Sequence, residues 1–241
     1  MATSRVLPTL TPDSTSVATP TRTDSYGGAF VIPVGSGGFY GAADEGSYFT
    51  ISNATVATGI AGHAAPVVAD TDTKALLHIY NGAATKSLVF DFLNLEVTAA
   101  GTGGTLHYAV VYTDNKGSTA LSSGGTTITP SNVKSNGAAI DSGVVVTFGA
   151  AVLAMTSSKK LGQQIVREVI PVVQDTITLK FGAAAGQFHA GLTTAGTATA
   201  HVYQSRGPVS IGPGGNLNVA MIRPAQSAAA SYQFVGGFWL R

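Results

Sequence analysis

Histidines, carboxylates and glycine-rich loops are the residues of this sequence whose types could carry chemistry, and their spacing argues against most of it. The five histidines, His63, His78, His107, His189 and His201, include no two within four positions of each other, so no local metal-ligand motif is present. "GSGGFYG" (35–41) does not give G-x-G-x-x-G. "GLTTAGT" (191–197) has the glycine spacing of a phosphate loop but lacks the lysine that would reach the phosphates. Neither precedes a credible helix, whose N-terminus would attract an anion. The nucleophile elbow G-x-S-x-G is also missing.

Paired carboxylates are the remaining enzymatic route, because glycoside hydrolysis needs two acids in separate roles. The candidates are Asp44, Glu45, Asp91 and Glu96. Asp44 and Glu45 are adjacent and point apart if extended, and the odd separation of Asp91 and Glu96 puts them on opposite faces of a regular strand. Asp70 and Asp72 lack the further acids and glycine of a calcium loop. Asn53-Ala54-Thr55 matches a glycosylation acceptor, but the sequence carries no export signal to bring it to the enzyme. No catalytic, cofactor-binding or metal-ligating residue is nominated, and the chain is read as a non-enzyme without a cofactor.

The elements that would position any site are strands. In "TITLKFG" (176–182), Ile177, Leu179 and Phe181 alternate with Thr176, Thr178 and Lys180, as a half-buried strand requires. "TLHYAVVYT" (105–113) is partly apolar on both faces, which predicts a more central strand. "KSLVFDFLNLEVT", "LLHIYN", "TTITPS", "GVVVTFG", "QIVREVIPVV", "TATAHVYQS" and "YQFVGGFWLR" complete a set of nine or ten, with Ser47 to Ser52 a further strand. "TDNKGS" (113–118) reads as a hairpin loop, and 149–165 has room for a helical turn or two between its glycines. Short strands joined by long glycine-rich connections predict an all-β antiparallel sandwich, jelly roll first and immunoglobulin-like second. Residues 1–25, rich in Thr, Ser and Pro, read as an extended or flexible N-terminal arm, and 26–241 as a single β-sandwich domain.

Composition narrows the function classes. Hydrophobic residues make up 44% of the chain and charged ones 10%, against about 25% charged in ordinary domains. A surface so poor in charge is built from neutral polar side chains or is covered by partners. A net charge of +1 offers no attraction to nucleic acid or anionic lipid, and Lys159-Lys160 with Arg167 reads as a solvated turn. Without cysteine there are no disulfides, zinc ribbons or thiol nucleophiles. The absence of a signal sequence or spanning run predicts synthesis in a cytoplasm without classical export.

Aromatic residues crowd both ends, and Phe39, Tyr40, Tyr48, Phe49, Phe238 and Trp239 are the interface candidates. The passages "YFTISNATVATGIAGHAAPVVADTDTKALLHIYN" and "LVFDFLNLEVTAAGTGGTLHYAVVYTDN", set in a cysteine-free, charge-poor, Thr/Gly/Ala-rich chain with a Ser/Thr/Pro arm, resemble virion structural proteins of tailed bacteriophages. The resemblance implies a β-sandwich subunit, a jelly roll, that assembles on a particle. Capsid cement or decoration protein is its first reading, with minor capsid protein and spike also compatible. The implied partners are the major capsid protein or other virion proteins, with a homotrimer or homodimer as the unit and neither nucleic acid nor membrane in direct contact. The competing class is a receptor- or carbohydrate-binding module of a spike or tail, and a glycan hydrolase stands third.

Overall fold

The computed structural model describes residues 46–55, 57–63, 74–103, 107–114, 121–154, 158–167, 172–181, 200–204, 209–222 and 226–241. The expected N-terminal arm, the run "AFVIPVG" and most of the "TDNKGS" loop lie outside these residues. Regular structure among the described residues is entirely β. In chain order it begins with β1 (Tyr48–Ser52), β2 (Ile60–Ala61), β3 (Lys74–Asn81), β4 (Leu88–Ala99), β5 (Thr102–Gly103) and β6 (His107–Asp114). Three short strands follow, β7 (Leu121–Ser123), β8 (Thr126–Ile128) and β9 (Ser131–Asn132), then the long β10 (Val144–Leu153) and β11 (Ser158–Arg167). The last are β12 (Thr176–Lys180), β13 (Ala200–Gln204), β14 (Val209–Ile211), β15 (Asn216–Ile222), β16 (Gln226–Ala228) and β17 (Ser231–Leu240).

Two sheets carry the core. The first has the order β13-β12-β4-β17-β1-β9, with β14 also on β4 and β2 on β17; the second runs β11-β6-β15-β3-β10-β7, with β8 also on β10. Strands β5 and β16 form a separate ribbon. Every described pairing is antiparallel except β12 with β13, which is parallel. Four antiparallel pairs organise the two sheets: β1 with β17, β3 with β15, β4 with β12 and β6 with β11. Along the chain these pair first with last and work inward, and β7 to β10 are inserted between the innermost two.

Alternation explains the packing. On β4 and β17, Phe90, Leu93, Leu95, Phe234 and Phe238 face inward and meet Leu77, Ile79, Phe148, Leu217 and Val219 of the second sheet in one buried cluster. Phe148 stacks on Phe234 across the two sheets, centroids 3.8 Å apart, and Phe90 meets Phe181 edge-on at 5.0 Å. Burial of each such side chain contributes about 1.5–3 kcal/mol. The central position expected for "TLHYAVVYT" holds, since β6 lies between β11 and β15. Its other face also buries Val110 and Tyr112, in a second cluster with Ala75, Ala151, Leu153, Ala220 and Ile222.

Two segments differ from the sequence expectation. The run from 149 makes no helical turn among its described residues: it continues β10 to Leu153, and β11 starts at Ser158. The β10–β3 register shifts between Phe148 and Ala151, where Gly149 takes φ +110 and an added Cβ would come 2.7 Å from Ile60 Cγ2. Pairing with β3 and burial of Ala151 and Leu153 override the local helix preference of Ala and Leu. The second is β15, absent from the expected strands and yet central. Its Asn216 and Asn218 occupy fully buried positions. They belong to a hydrogen-bonded row: Asn218 Nδ2 donates to Asn216 Oδ1 at 2.9 Å, the Asp114 amide donates to the same oxygen at 2.9 Å, and His78 Nδ1 donates to Asn218 Oδ1 at 2.7 Å.

Candidate functional site

The outer face of the first sheet, away from the core, carries polar and aromatic side chains with access to solvent. A β-bulge decides what it presents. On β4, Phe90 and Leu93 both face inward with Asp91 and Phe92 between them, and the β17 pairing shifts at the same level, between Gly237 and Phe238. The extra residue inverts the parity of the strand. Asp91 and Glu96 therefore share the outer face, contrary to the expectation that they oppose each other. Five residues at roughly 3.3 Å each still separate them by on the order of 16 Å, beyond the roughly 5–10 Å over which glycosidase carboxylates cooperate.

At one end of this face Tyr48 donates its hydroxyl hydrogen to Asp91 Oδ2 at 2.8 Å and meets Trp239 edge-on, centroids 5.2 Å apart. Burial is the main cause that pushes both groups up: the Asp91 carboxyl above the ordinary carboxylate range, partly offset by the Tyr48 hydrogen bond and by Lys180, and the Tyr48 phenol well above its ordinary value, reinforced by the hydrogen bond to Asp91 and its charge. The pair thus holds a phenol as a donor rather than generating a phenolate. Gly237 makes the arrangement possible, because a Cβ there would lie 2.1 Å from the Tyr48 hydroxyl and 2.9 Å from Phe92 Cε1.

At the other end lies a groove of about 290 Å³ lined by Asn94, Glu96, Thr176, Thr178, Gln233 and Val235. Strand register assembles it in two rows. Thr176, Glu96 and Gln233 lie side by side across β12, β4 and β17, as do Thr178, Asn94 and Val235. Thr178 Oγ1 donates to Asn94 Oδ1, and Val235 is 39% exposed. Hydrophobic alternation in the sequence marks the inward residues of β12, Ile177 and Leu179. The complementary positions, Thr176 and Thr178 opposite Ile177 and Leu179, were the available signal for this groove.

Of the six interface candidates, Phe39 and Tyr40 lie outside the described residues. Phe49 and Phe238 stack on each other at 6.0 Å and, at 5% and 0% exposed, belong to the core. Tyr48 and Trp239 are half-buried on the outer face. Asp44, Glu45, Asp70, Asp72 and His189 also lie outside the described residues. Among the described residues no three His, Asp or Glu side chains converge as a metal site. His63 is placed by two bonds: its Nε2 donates to Ala151 O at 2.8 Å, and its carbonyl accepts from Gln226 Nε2 at 2.9 Å. Burial, its largest influence, lowers its pKa against the opposing backbone hydrogen bonds to Ala151 and Ala75, and Lys74 adds to the lowering. Lys159 and Lys160 are exposed on β11.

Comparison with protein-family models, with curated proteins and with solved structures finds no match for this chain.

Proposed function

We propose that this chain is a non-enzymatic structural subunit of a tailed-bacteriophage virion, of the capsid cement, decoration or minor capsid type, built on a jelly roll. The observation that carries the reading is the strand pairing. First-with-last pairing of β1, β3, β4 and β6 with β17, β15, β12 and β11 is the order obtained by rolling one long antiparallel hairpin of four strand pairs into two facing sheets. That order defines the eight-stranded jelly roll of capsid and lectin domains. With 10% charged residues, the surface suits a subunit covered by neighbours, and the resemblance to phage virion proteins agrees.

The mechanism is physical rather than chemical. Subunits associate with one another as trimers or dimers and bridge the major capsid protein through neutral polar and aromatic surface, while the arm of residues 1–25 reaches a neighbour and orders on assembly. A protein that binds only the assembled shell stabilises it by mass action, by about 2.7 kcal/mol at a free concentration of 100 times Kd. Particles lacking the protein should release their genome at lower temperature and after milder osmotic shock, and added full-length protein should restore them. A chain lacking residues 1–25 should restore them less. Particle stability that is the same with and without the protein would overturn the reading.

A further inference from the structure

We infer that the groove on the outer face of the first sheet binds a neutral oligosaccharide, a proposal that stands on the groove alone and not on the virion reading. The groove holds hydrogen-bonding capacity in reserve. Among the described residues nothing hydrogen-bonds to the Glu96 carboxylate, the Gln233 carboxamide or the Thr176 hydroxyl, although the three lie side by side on adjacent strands. Thr178 occupies the Asn94 oxygen, which fixes that amide and leaves its Nδ2 as an uncommitted donor. The groove therefore offers a carboxylate that only accepts, two amides that donate, and a hydroxyl that does either. Neighbouring sugar hydroxyls, each both donor and acceptor, are the complement of that set.

Charge and composition choose among occupants. Among the described residues Glu96 is the only charged side chain lining the groove, which disfavours phosphates, sulfated glycans and other anions. Leu95 and Phe234 also border the groove but are buried in the core, so its accessible side chains are mainly amides and hydroxyls, and a lining without exposed Arg, Met or aromatic anchors is poor material for the core of a protein interface. A peptide adding as a strand would need a free sheet edge, whereas these residues sit on the face of β12, β4 and β17. About 290 Å³ lies at the small end of ligand sites and suits one or two sugar rings. Exposed Val235 contacts a C–H face there, and along the same strand Phe92, opposite Gly237, and Trp239, with Tyr48 against it, extend an aromatic surface for further units.

The test is titration of the purified full chain, by calorimetry and ligand-observed NMR, against an array of neutral glycans that includes maltotetraose, cellotetraose, mannotetraose and triacetylchitotriose. Saturable binding to at least one is expected, with Kd on the order of 0.1–1 mM. Gln233→Ala and Glu96→Ala should each weaken it roughly tenfold while leaving the thermal midpoint in place, since neither side chain is hydrogen-bonded among the described residues. Lys159→Ala, on β11 of the second sheet, should bind as the parent does. Absence of saturable binding across the array, binding unchanged in both groove variants, or a preference for sulfated glycans would each overturn the proposal. So would self-association that the two groove substitutions abolish, which would assign the face to a second copy of the chain.

Discussion

Asp91 shows how one inserted residue changes the meaning of a carboxylate. The bulge turns it to the outer face, where burial raises its pKa and the Tyr48 hydrogen bond and Lys180 only partly compensate. A folded-state pKa above the unfolded one means that the folded chain binds more protons across the interval between the two values. Stability therefore falls as pH rises through the window that opens at the ordinary carboxylate pKa and closes at the raised one. Asp91→Asn abolishes the titration and keeps an oxygen to accept the Tyr48 hydroxyl. Relative to the parent, the variant should gain stability as pH rises through that window and be at least as stable at neutral pH. Urea denaturation of both proteins at a series of pH values measures the difference, and a gap that stays constant or narrows toward neutrality contradicts the account. Parity counting placed Asp91 and Glu96 on opposite faces because nothing in "LVFDFLNLEV" marks the bulge; the partner that accommodates it, Gly237, lies more than a hundred residues away.

At the scale of elements, a strand was legible where its alternation was hydrophobic against polar. β12 and β17 follow their patterns, and β6 was recognised as central because both its faces are partly apolar. β15 was hidden by the same rule. "NLNVAMI" places asparagine where apolar side chains are expected, and only the tertiary partners His78 and Asp114 make those positions tolerable in the interior. Asn218 joins β15 to β3 through His78 and is bonded to Asn216 within its own strand. Asn218→Ala takes the acceptor from the buried His78 Nδ1, at about 1–3 kcal/mol, and one hydrogen bond from Asn216 Oδ1, which keeps the Asp114 amide, at about 0.5–1.5 kcal/mol. The expected result is a marked drop in the urea midpoint, whereas Gln233→Ala on the outer face should stay within about 0.5 kcal/mol of the parent. Equal effects of the two substitutions would show that the asparagine row is not a structural requirement.

For the whole molecule, the sandwich class could be read from strand length and spacing, but the partners of each strand could not, since pairing is decided by register and layer rather than by any local signal. Its consequence is non-local folding. β17 lies between β4 and β1, so neither β1 nor the centre of the first sheet is complete until this strand, distant in sequence from both, is in place. Folds dominated by such distant pairings pay loop-closure entropy before the contacts compensate, and they fold in milliseconds to seconds or more slowly. Deleting residues 231–241 removes Tyr232, Phe234, Phe238 and Leu240 from the core and exposes the paired edges of β1 and β4. The truncated chain should show no cooperative unfolding transition and should aggregate, as unpaired strand edges template association. The parent should unfold in a single transition by circular dichroism and refold slowly from urea. A truncated chain that melts cooperatively near the parent's midpoint would mean that β17 is an addition to the sandwich rather than the strand that closes it.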